Sequence, residues 1–448
     1  MYDPLLDSHP GEGERYPNSY WASTIADSNQ AQQVPTLDRD LDTDVVIIGG
    51  GYTGLSCAIH LARNYGIKAT LLEANQIGWG CSGRNAGFVL HSSGRRSIAS
   101  MANQWGEEVA ATIYQEMRQG VALVEEFIAQ GIDCDVQSKG YIKIAHSTRQ
   151  FKQLQQLANV QQSHSGTPID VLTREQLHRD YMADHNAYGA IRYQDGFGLN
   201  PLKLALGYKE LAMNLGVKLY QSTPVLSWLD KHGGKQRLLT PKGIVTAKKV
   251  VIATNGYTPK NFSPVITSRT LPVLSQIIVT NPLNPEQLQQ ANWLTDNVVM
   301  DTRALKYYYR KLPDNRVLFG GRGAISGKQA SNPYYALRLL KVLKSSFPNI
   351  GELTIDYAWS GWICMTLDDI PHIGHDSNQS IHYGMGYCGS GLAFSAQVGK
   401  RLADQVSGGT IPNIPLYQSE LPRFPLAPLR RVGQWCYFQY GKYVDRFN

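Results

Sequence analysis

Three glycines and one acid close to the N-terminus have the spacing of a dinucleotide-binding turn. An apolar, β-branched run at 45–48 predicts a buried parallel strand. It leads directly into Gly49, Gly51 and Gly54, which have G-x-G-x-x-G spacing. Such glycines permit the tight turn, admit a pyrophosphate and let the next helix pack closely, and that helix offers free N–H groups to phosphates. Because Glu73 follows the next predicted strand, where an acid accepts hydrogen bonds from a ribose, we predict a bound adenine dinucleotide.

A second glycine-rich loop follows the acid almost at once. It is the segment Gly78-Trp79-Gly80-Cys81-Ser82-Gly83-Arg84-Asn85-Ala86-Gly87. An NAD-binding domain usually continues with further strand–helix units at this point. The loop therefore indicates that the backbone wraps more of a longer cofactor.

These segments resemble the D-amino-acid oxidase superfamily of FAD-dependent amine oxidoreductases, and within it the gamma-glutamylputrescine oxidases. The resemblance covers nearly the whole chain, in a shared order. Besides 49–54 and 82–85, it includes Ser19-Tyr20-Trp21, Asn200-Pro201-Leu202, Tyr308-Tyr309-Arg310, Leu318-Phe319-Gly320-Gly321, Gly386-Tyr387-Cys388-Gly389-Ser390-Gly391 and Leu421-Pro422-Arg423-Phe424-Pro425. It implies FAD as the cofactor. Cys364 lies nearer to the following Met-Thr pair than the flavin-carrying cysteine of sarcosine oxidases, so we expect non-covalent FAD.

The resemblance implies an α/β fold of glycine oxidase and sarcosine oxidase type. We expect a discontinuous, Rossmann-like FAD-binding domain and a substrate domain built on a mostly antiparallel sheet. The expected division is an irregular N-terminal arm at 1–43, an FAD-binding domain at 44–100, 200–266 and 355–448, and a substrate domain at 101–199 and 267–354. Within the expected FAD-binding domain, residues 243–257 are predicted to form two strands that end in a small-residue turn.

Sixteen residues are candidate cofactor contacts, and Arg84 among them could neutralise pyrophosphate charge or hold the flavin edge. The turn 384–391 opens a helix whose N–H groups and dipole could stabilise negative charge on reduced flavin. The candidates are Gly49, Gly51, Tyr52, Thr53, Gly54, Glu73, Ser82, Gly83, Arg84, Asn85, Ala253, Gly386, Gly389, Ser390, Gly391 and Leu392.

The substrate candidates are Arg310 and three tyrosines. Relatives present an arginine from a similar tyrosine-led strand, and a guanidinium can clamp a carboxylate through two parallel hydrogen bonds. Tyr308 or Tyr309 could contact the same group, and Tyr387 lies in the glycine-rich turn. An alternative places Arg310 in a structural ion pair with Asp314.

These features imply oxidation of a C–N bond in an amine or amino acid by hydride transfer to flavin N5, giving an imine that water hydrolyses to an aldehyde or oxo acid. Gamma-glutamylputrescine is one possible substrate. The nearest relatives have histidines where this chain has Ser390 and Gly198. A glycine, sarcosine or D-amino-acid type oxidase or dehydrogenase, an NAD(P)H-using flavin reductase and a catalytically degenerate flavin protein therefore remain alternatives.

Composition restricts the other partners. The 448 residues suit two or three domain-sized units, with 42% hydrophobic and 18% charged residues. The net charge of +7 is scattered, so we expect no nucleic acid. Six cysteines without a C-x-x-C pair predict no metal site and a reduced, cytoplasmic protein. Oxygen or another acceptor would take the electrons. The aromatic, basic tail 428–448 could lie on a membrane surface, but packing on the protein itself is the expectation.

Overall fold

Two large sheets organise the chain in the computed structural model, which describes residues 1–25, 34–92, 94–165 and 168–447. The α/β class is confirmed. The strands are β1 (Leu41–Ile48), β2 (Thr70–Leu72), β3 (Phe88–Val89), β4 (Tyr141–Ile144), β5 (Ile169–Leu172), β6 (Ala190–Tyr193), β7 (Phe197–Gly198), β8 (Lys218–Tyr220), β9 (Ser227–His232), β10 (Lys235–Thr240), β11 (Gly243–Ile252), β12 (Leu271–Thr280), β13 (Val298–Asp301), β14 (Tyr308–Lys311), β15 (Val317–Arg322), β16 (Ile355–Met365), β17 (His372–His375) and β18 (Ile381–Met385).

The helices lie mainly between these strands in sequence. They are α1 (Tyr20–Ser23), α2 (Tyr52–Tyr65), α3 (Ile98–Trp105), α4 (Glu107–Ala129), α5 (Thr148–Ser165), α6 (Arg174–Asp180), α7 (Pro201–Asn214), α8 (Pro285–Gln290), α9 (Pro333–Ser346), α10 (Leu392–Ser407), α11 (Pro415–Gln418) and α12 (Arg430–Phe447).

The first sheet has the strand order β17-β18-β11-β1-β2-β8, and β1, β2, β8, β11 and β18 run parallel. The apolar residues 45–48 are buried at its centre, as expected for a strand covered on both faces. Helices α2, α4, α7 and α10 share one hydrophobic core with this sheet. Gly66 ends α2 at a φ of +65°, a left-handed conformation that glycine adopts without steric cost.

The second sheet has the order β16-β12-β15-β14-β13-β4-β6-β5, and only the β13–β4 pair among these described strands is parallel. This confirms the mostly antiparallel sheet. A second hydrophobic core, which includes residues of α9, covers one of its faces. The two-stranded ribbon β3–β7 stands apart from both large sheets.

The expected division into domains stays a proposal, and two of its boundaries do not follow the sheets. The strand β16 pairs with β12 in the second sheet, although 355–448 was assigned to the FAD-binding domain. Helix α4 packs in the core of the first sheet, although 101–199 was assigned to the substrate domain. The arm 1–43 is not wholly irregular, because α1 buries Trp21 and β1 begins at Leu41.

The predicted pair of strands within 243–257 is wrong. Residues 243–252 form one continuous strand, β11, and its hairpin partner is the preceding β10. The connection between them is the two-residue turn 241–242, because Thr240 pairs with Gly243. The strand stays continuous because it pairs with β10 along its first half, with β18 at its end and with β1 along most of its length.

Candidate active site

One cavity extends from the carboxyl ends of the parallel strands to the second sheet. We call the side formed by the ends of β1, β2 and β11 the first wall, and the side formed by β12, β14, β15 and β16 the second wall. The turn that precedes α10 also lines the cavity. Ligands of open α/β sheets bind at the carboxyl ends of the strands, so this position is the expected one for a cofactor.

The glycine turn of the first wall leaves room for backbone contacts only. Gly49 has a φ of +113°, and a Cβ there would lie 2.8 Å from the carbonyl oxygen of Ala253. A Cβ at Gly51 would lie 2.8 Å from Ser82 Oγ, and one at Gly54 would overlap the carbonyl oxygen of Gly49. Gly49, Gly51 and Ala253 line the cavity, whereas the described part of its lining does not include Gly54. The last glycine therefore serves close helix–strand packing, as predicted from its spacing.

Glu73 lies at the end of β2 with its carboxylate against this turn. Its Oε2 accepts from the N–H of Gly50 at 2.7 Å, and its Oε1 accepts from the N–H of Asn75 at 3.0 Å. Burial raises the pKa of Glu73, although these two N–H groups stabilise the charged form. A carboxylate has about four acceptor positions, so each oxygen retains one for a ligand in the cavity. The residue fits the predicted ribose contact.

The helix start after the glycine turn is tied to both neighbouring loops. The N–H of Tyr52 donates to Ser82 Oγ at 3.0 Å, which joins α2 to the second glycine-rich loop. The hydroxyls of Thr53 and Tyr387 are 2.6 Å apart, which joins it to the turn before α10. All four of these residues line the cavity. The structure thus brings together three chain segments that the sequence singled out separately.

Several side-chain contacts hold the second glycine-rich loop in place. Arg84 donates from Nε to the carbonyl oxygen of Trp79 at 2.7 Å and from Nη1 to that of Ser360 at 3.3 Å, and its guanidinium lies 4.2 Å from the Trp79 ring centroid. Asn85 donates to the carbonyl of Ser82 at 2.9 Å. Both residues line the cavity. Gly83 instead packs tightly against the carbonyl oxygen of Gly78 and is absent from the described lining.

The turn before α10 and the first residue of that helix face the cavity through four of the predicted cofactor contacts. These are Gly389, Ser390, Gly391 and Leu392. Gly391 caps α10 without a side-chain hydrogen bond, so the first N–H groups and the positive dipole end of the helix are directed at this region. Gly386 differs, because its N–H donates to Asn255 Oδ1 at 3.0 Å and it is not among the described lining residues. Its φ of +90° shows that it shapes the turn.

Tyr308 and Tyr309 lie on opposite faces of β14, as neighbours on a strand do. Tyr308 lines the cavity, and its hydroxyl is 2.6 Å from Ser275 Oγ. Tyr309 lies in the second hydrophobic core and donates its hydroxyl to Asp184. This placement corrects the prediction that Tyr309 contacts substrate.

Arg310 also lies outside the described lining of the cavity, which corrects its predicted role as a carboxylate clamp. Its guanidinium donates to Gln137 Oε1 at 2.5 Å and to the carbonyl oxygen of Leu199 at 2.6 Å, beneath the ribbon β3–β7. A Cβ at Gly198 would overlap Arg310 Nη1, so this close approach of the ribbon to the guanidinium requires glycine. The alternative pairing is also wrong, because Asp314 pairs with Arg316.

Three cations of the cavity were not predicted as site residues. Arg95, Lys306 and Arg322 all line it. Arg95 donates to the hydroxyl of Tyr437 at 2.8 Å, whereas the side chains of Lys306 and Arg322 have no ion pair or hydrogen bond among the described residues. Burial lowers the pKa of Lys306 to about 7, and repulsion from Lys143 and the two arginines adds to this effect.

The sequence carried only faint signals for these three residues. Arg322 directly follows the family-like segment 318–321, Lys306 precedes the tyrosine run, and Arg95 begins an arginine doublet. Because they come from three separate places in the chain, only the folded structure shows that they meet.

The C-terminal segment packs on the protein, as expected. Phe438 of α12 is buried with Val273, Met365 and Cys388, and Tyr437 reaches Arg95. No helix within the described ranges is both long and apolar enough to cross a membrane. Those ranges also contain no group of three or more His, Cys, Asp or Glu residues suited to a metal ion.

Known proteins share this architecture along most of their length. Gamma-glutamylputrescine oxidoreductase of Escherichia coli K12 is 31% identical over 427 residues, which are 94% of this chain and 97% of that protein. Glycine oxidase of Bacillus licheniformis is 24% identical, with 82% and 94% covered. Among solved structures, glycine oxidase from Geobacillus kaustophilus superposes with a TM-score of 0.70 at 22% identity, covering 87% of this chain and 100% of that one.

The family assignment follows from one further match. The profile of the DAO family, described as FAD dependent oxidoreductase, matches residues 44–405. This range contains the glycine turn, Glu73, the second glycine-rich loop and the turn before α10. The chain therefore belongs to the DAO family of FAD-dependent oxidoreductases, and FAD is the cofactor that its first wall fits.

Proposed function

We propose that this protein uses FAD to oxidise a C–N bond of an amine or amino acid. The observation that carries the proposal is one continuous cavity, which joins the dinucleotide turn of the first wall to a polar and cationic second wall. The names of the relatives support the same reaction type, because gamma-glutamylputrescine and glycine both offer a carbon attached to an amine nitrogen. Fold similarity alone would not select a substrate.

Bound FAD would accept a hydride from the carbon next to the nitrogen, leaving an imine that water converts to a carbonyl compound and an amine or ammonia. The protein contributes binding and orientation. Gly49, Gly51 and Glu73 would hold the pyrophosphate and the ribose, and the N-terminal end of α10 would stabilise negative charge near the flavin. Tyr308 and Ser275 supply hydroxyls on the opposite wall.

Few of the described residues that line the cavity could move a proton beside a substrate. Burial keeps the pKa of Tyr308 high, at about 12, so its hydroxyl stays protonated and serves as a hydrogen-bond donor or acceptor. Lys306, whose pKa is lowered to about 7, is partly neutral at physiological pH. The substrate amine must itself be neutral for its nitrogen to assist hydride departure. We propose that the low-dielectric cavity favours this neutral form.

The test is reduction of the flavin by amines in the absence of oxygen. Purified protein should be yellow and should release about one FAD per chain on heating or acidification. A panel of primary and secondary amines, amino acids and gamma-glutamylputrescine should include at least one compound that bleaches the flavin absorbance. If the protein binds FAD but no amine reduces it while dithionite does, the proposed oxidation is wrong and a flavin-binding role without this chemistry is favoured. Subsequent addition of oxygen separates an oxidase from a dehydrogenase.

A further inference from the structure

The second wall of the cavity carries positive charge without matching acids. Of the described residues that line the cavity, Glu73 is the only acid, and it lies on the first wall against Gly50 and Asn75. Arg95, Lys306 and Arg322 lie near the second wall and act on one another electrostatically. Burying like charges together is unfavourable, so the arrangement needs a compensating group.

The nearest acids of the protein supply only part of that compensation. Asp301 attracts Lys306, but it is buried and bound to Arg303, with Nη1 of Arg303 at 2.5 Å from its carboxylate. Asp369 acts on Arg95 at longer range but forms no ion pair with it within the described residues, and Arg95 donates instead to the hydroxyl of Tyr437. Lys143 of β4 adds a further positive charge that acts on Lys306.

The dinucleotide cannot account for these cations through its phosphates. The glycine turn and the start of α2, where a pyrophosphate binds, belong to the first wall. Arg322 ends β15 of the second wall, and its electrostatic neighbours are Arg95, Tyr308, Tyr437 and Cys388 rather than residues of the glycine turn. The uncompensated charge therefore lies beside the turn that precedes α10, at the end of the cavity where a substrate would meet the flavin.

We infer that the second wall selects an amine substrate that carries two carboxylate groups, of the amino-dicarboxylic acid class. A guanidinium forms two parallel hydrogen bonds with one carboxylate, so Arg95 and Arg322 together suit two such groups. A single carboxylate would leave one guanidinium uncompensated. Lys306, lying between further cations, gains a partner when either carboxylate arrives. This inference rests on the proposed function, since it names the substrate class of the same site.

The test compares two inert acids that share the same three-carbon chain, and it uses the oxidised, FAD-loaded protein. Glutarate and butyrate differ by one carboxylate and cannot be oxidised as amines. Their dissociation constants are measured from the change in flavin absorbance, with calorimetry as a second readout. We expect glutarate to bind at least tenfold more tightly than butyrate at moderate ionic strength. Equal affinities would overturn the inference, and this comparison needs no variant.

Variants then locate the effect. Arg322→Gln and Arg95→Gln should each reduce the preference for glutarate to less than threefold while FAD content stays unchanged. Arg322→Lys should retain part of it, because the charge remains and the planar fork is lost. Lys311→Gln is the matched control, since Lys311 pairs with Asp296 and is not part of the described lining. A preference that survives both arginine variants would overturn the assignment.

The two proposals fail separately. If the flavin is reduced by amines but glutarate binds no better than butyrate, the dicarboxylate inference is wrong and the oxidation stands. If glutarate is preferred but no amine, including glutamate, aspartate and iminodiacetate, reduces the flavin, the second wall binds as inferred and the proposed oxidation is wrong.

Discussion

Replacing Glu73 by glutamine is the sharpest perturbation of cofactor binding that the structure suggests. Each oxygen of the carboxylate already accepts one backbone N–H, from Gly50 or Asn75, and keeps one acceptor position for a ribose hydroxyl. A glutamine side chain has one oxygen and one NH2 group. Its NH2 must face one of the two N–H groups, so Glu73→Gln loses one backbone bond and one ribose bond.

The expected magnitude follows from the charge of the acceptor. A hydrogen bond to a charged group contributes about 1.5–3 kcal/mol, and about 1.4 kcal/mol corresponds to a tenfold change in affinity. Losing one ribose bond should therefore raise the Kd for FAD about 10- to 100-fold. Glu73→Ala removes both acceptors and should weaken binding further.

The assay is a titration of apoprotein with FAD, followed by fluorescence quenching. Glu126→Gln is the control, because Glu126 pairs with Arg63 on the partly exposed side of α4 and is not part of the described lining. At saturating FAD, the rate of flavin reduction per bound flavin should return to that of the unmodified protein. An unchanged Kd in Glu73→Gln would show that the carboxylate does not face the ribose, and would refute the assignment of the first wall.

Three further outcomes test other parts of the molecule. Gly54→Ala should lower both FAD content and thermal midpoint, because its Cβ would overlap the carbonyl oxygen of Gly49; full flavin content would contradict this. Burial would raise the pKa of Glu116, but hydrogen bonds led by those from Arg401 lower it, so Glu116→Gln should cost about 3–5 kcal/mol of unfolding free energy near neutral pH, shrinking as the pH falls below the ordinary glutamate range. In urea titrations, an equal cost at pH 3.5 would exclude this linkage. Since the pKa of Lys306 is lowered to about 7, the folded state disfavours its charge, and Lys306→Met should raise the thermal midpoint most at pH 6 and less towards pH 9. A pH-independent gain would exclude that explanation.

The sequence predicted the first wall because its contacts are local. The glycine turn, Glu73 and the second loop lie within about forty residues, and their spacing reflects one strand–helix–strand unit. The buried run 45–48 and the start of α10 were likewise predicted from the sequence. Family resemblance supplied the rest of this wall, including Ala253.

The second wall was less predictable because it depends on distant contacts. Arg310 and Tyr308 share one face of β14, so neither alternation nor composition separates them. The ribbon β3–β7 makes the difference, since it covers Arg310 and leaves Tyr308 open to the cavity. That ribbon joins residues near 88 with residues near 197, a pairing that no local pattern in the sequence indicated.

The two walls therefore carry independent information about function. The backbone geometry of the glycines fixes the shape of the first wall. Family membership identifies FAD as the cofactor that this wall fits. Charge and hydroxyl groups define the second wall. Partly buried cations without partners cost stability, and the side chains of Lys306 and Arg322 have no hydrogen bond or ion pair among the described residues. A ligand that neutralises them would offset this cost only while it is bound. Substrate should therefore raise the thermal midpoint of the FAD-loaded protein above that of the FAD-loaded protein without substrate.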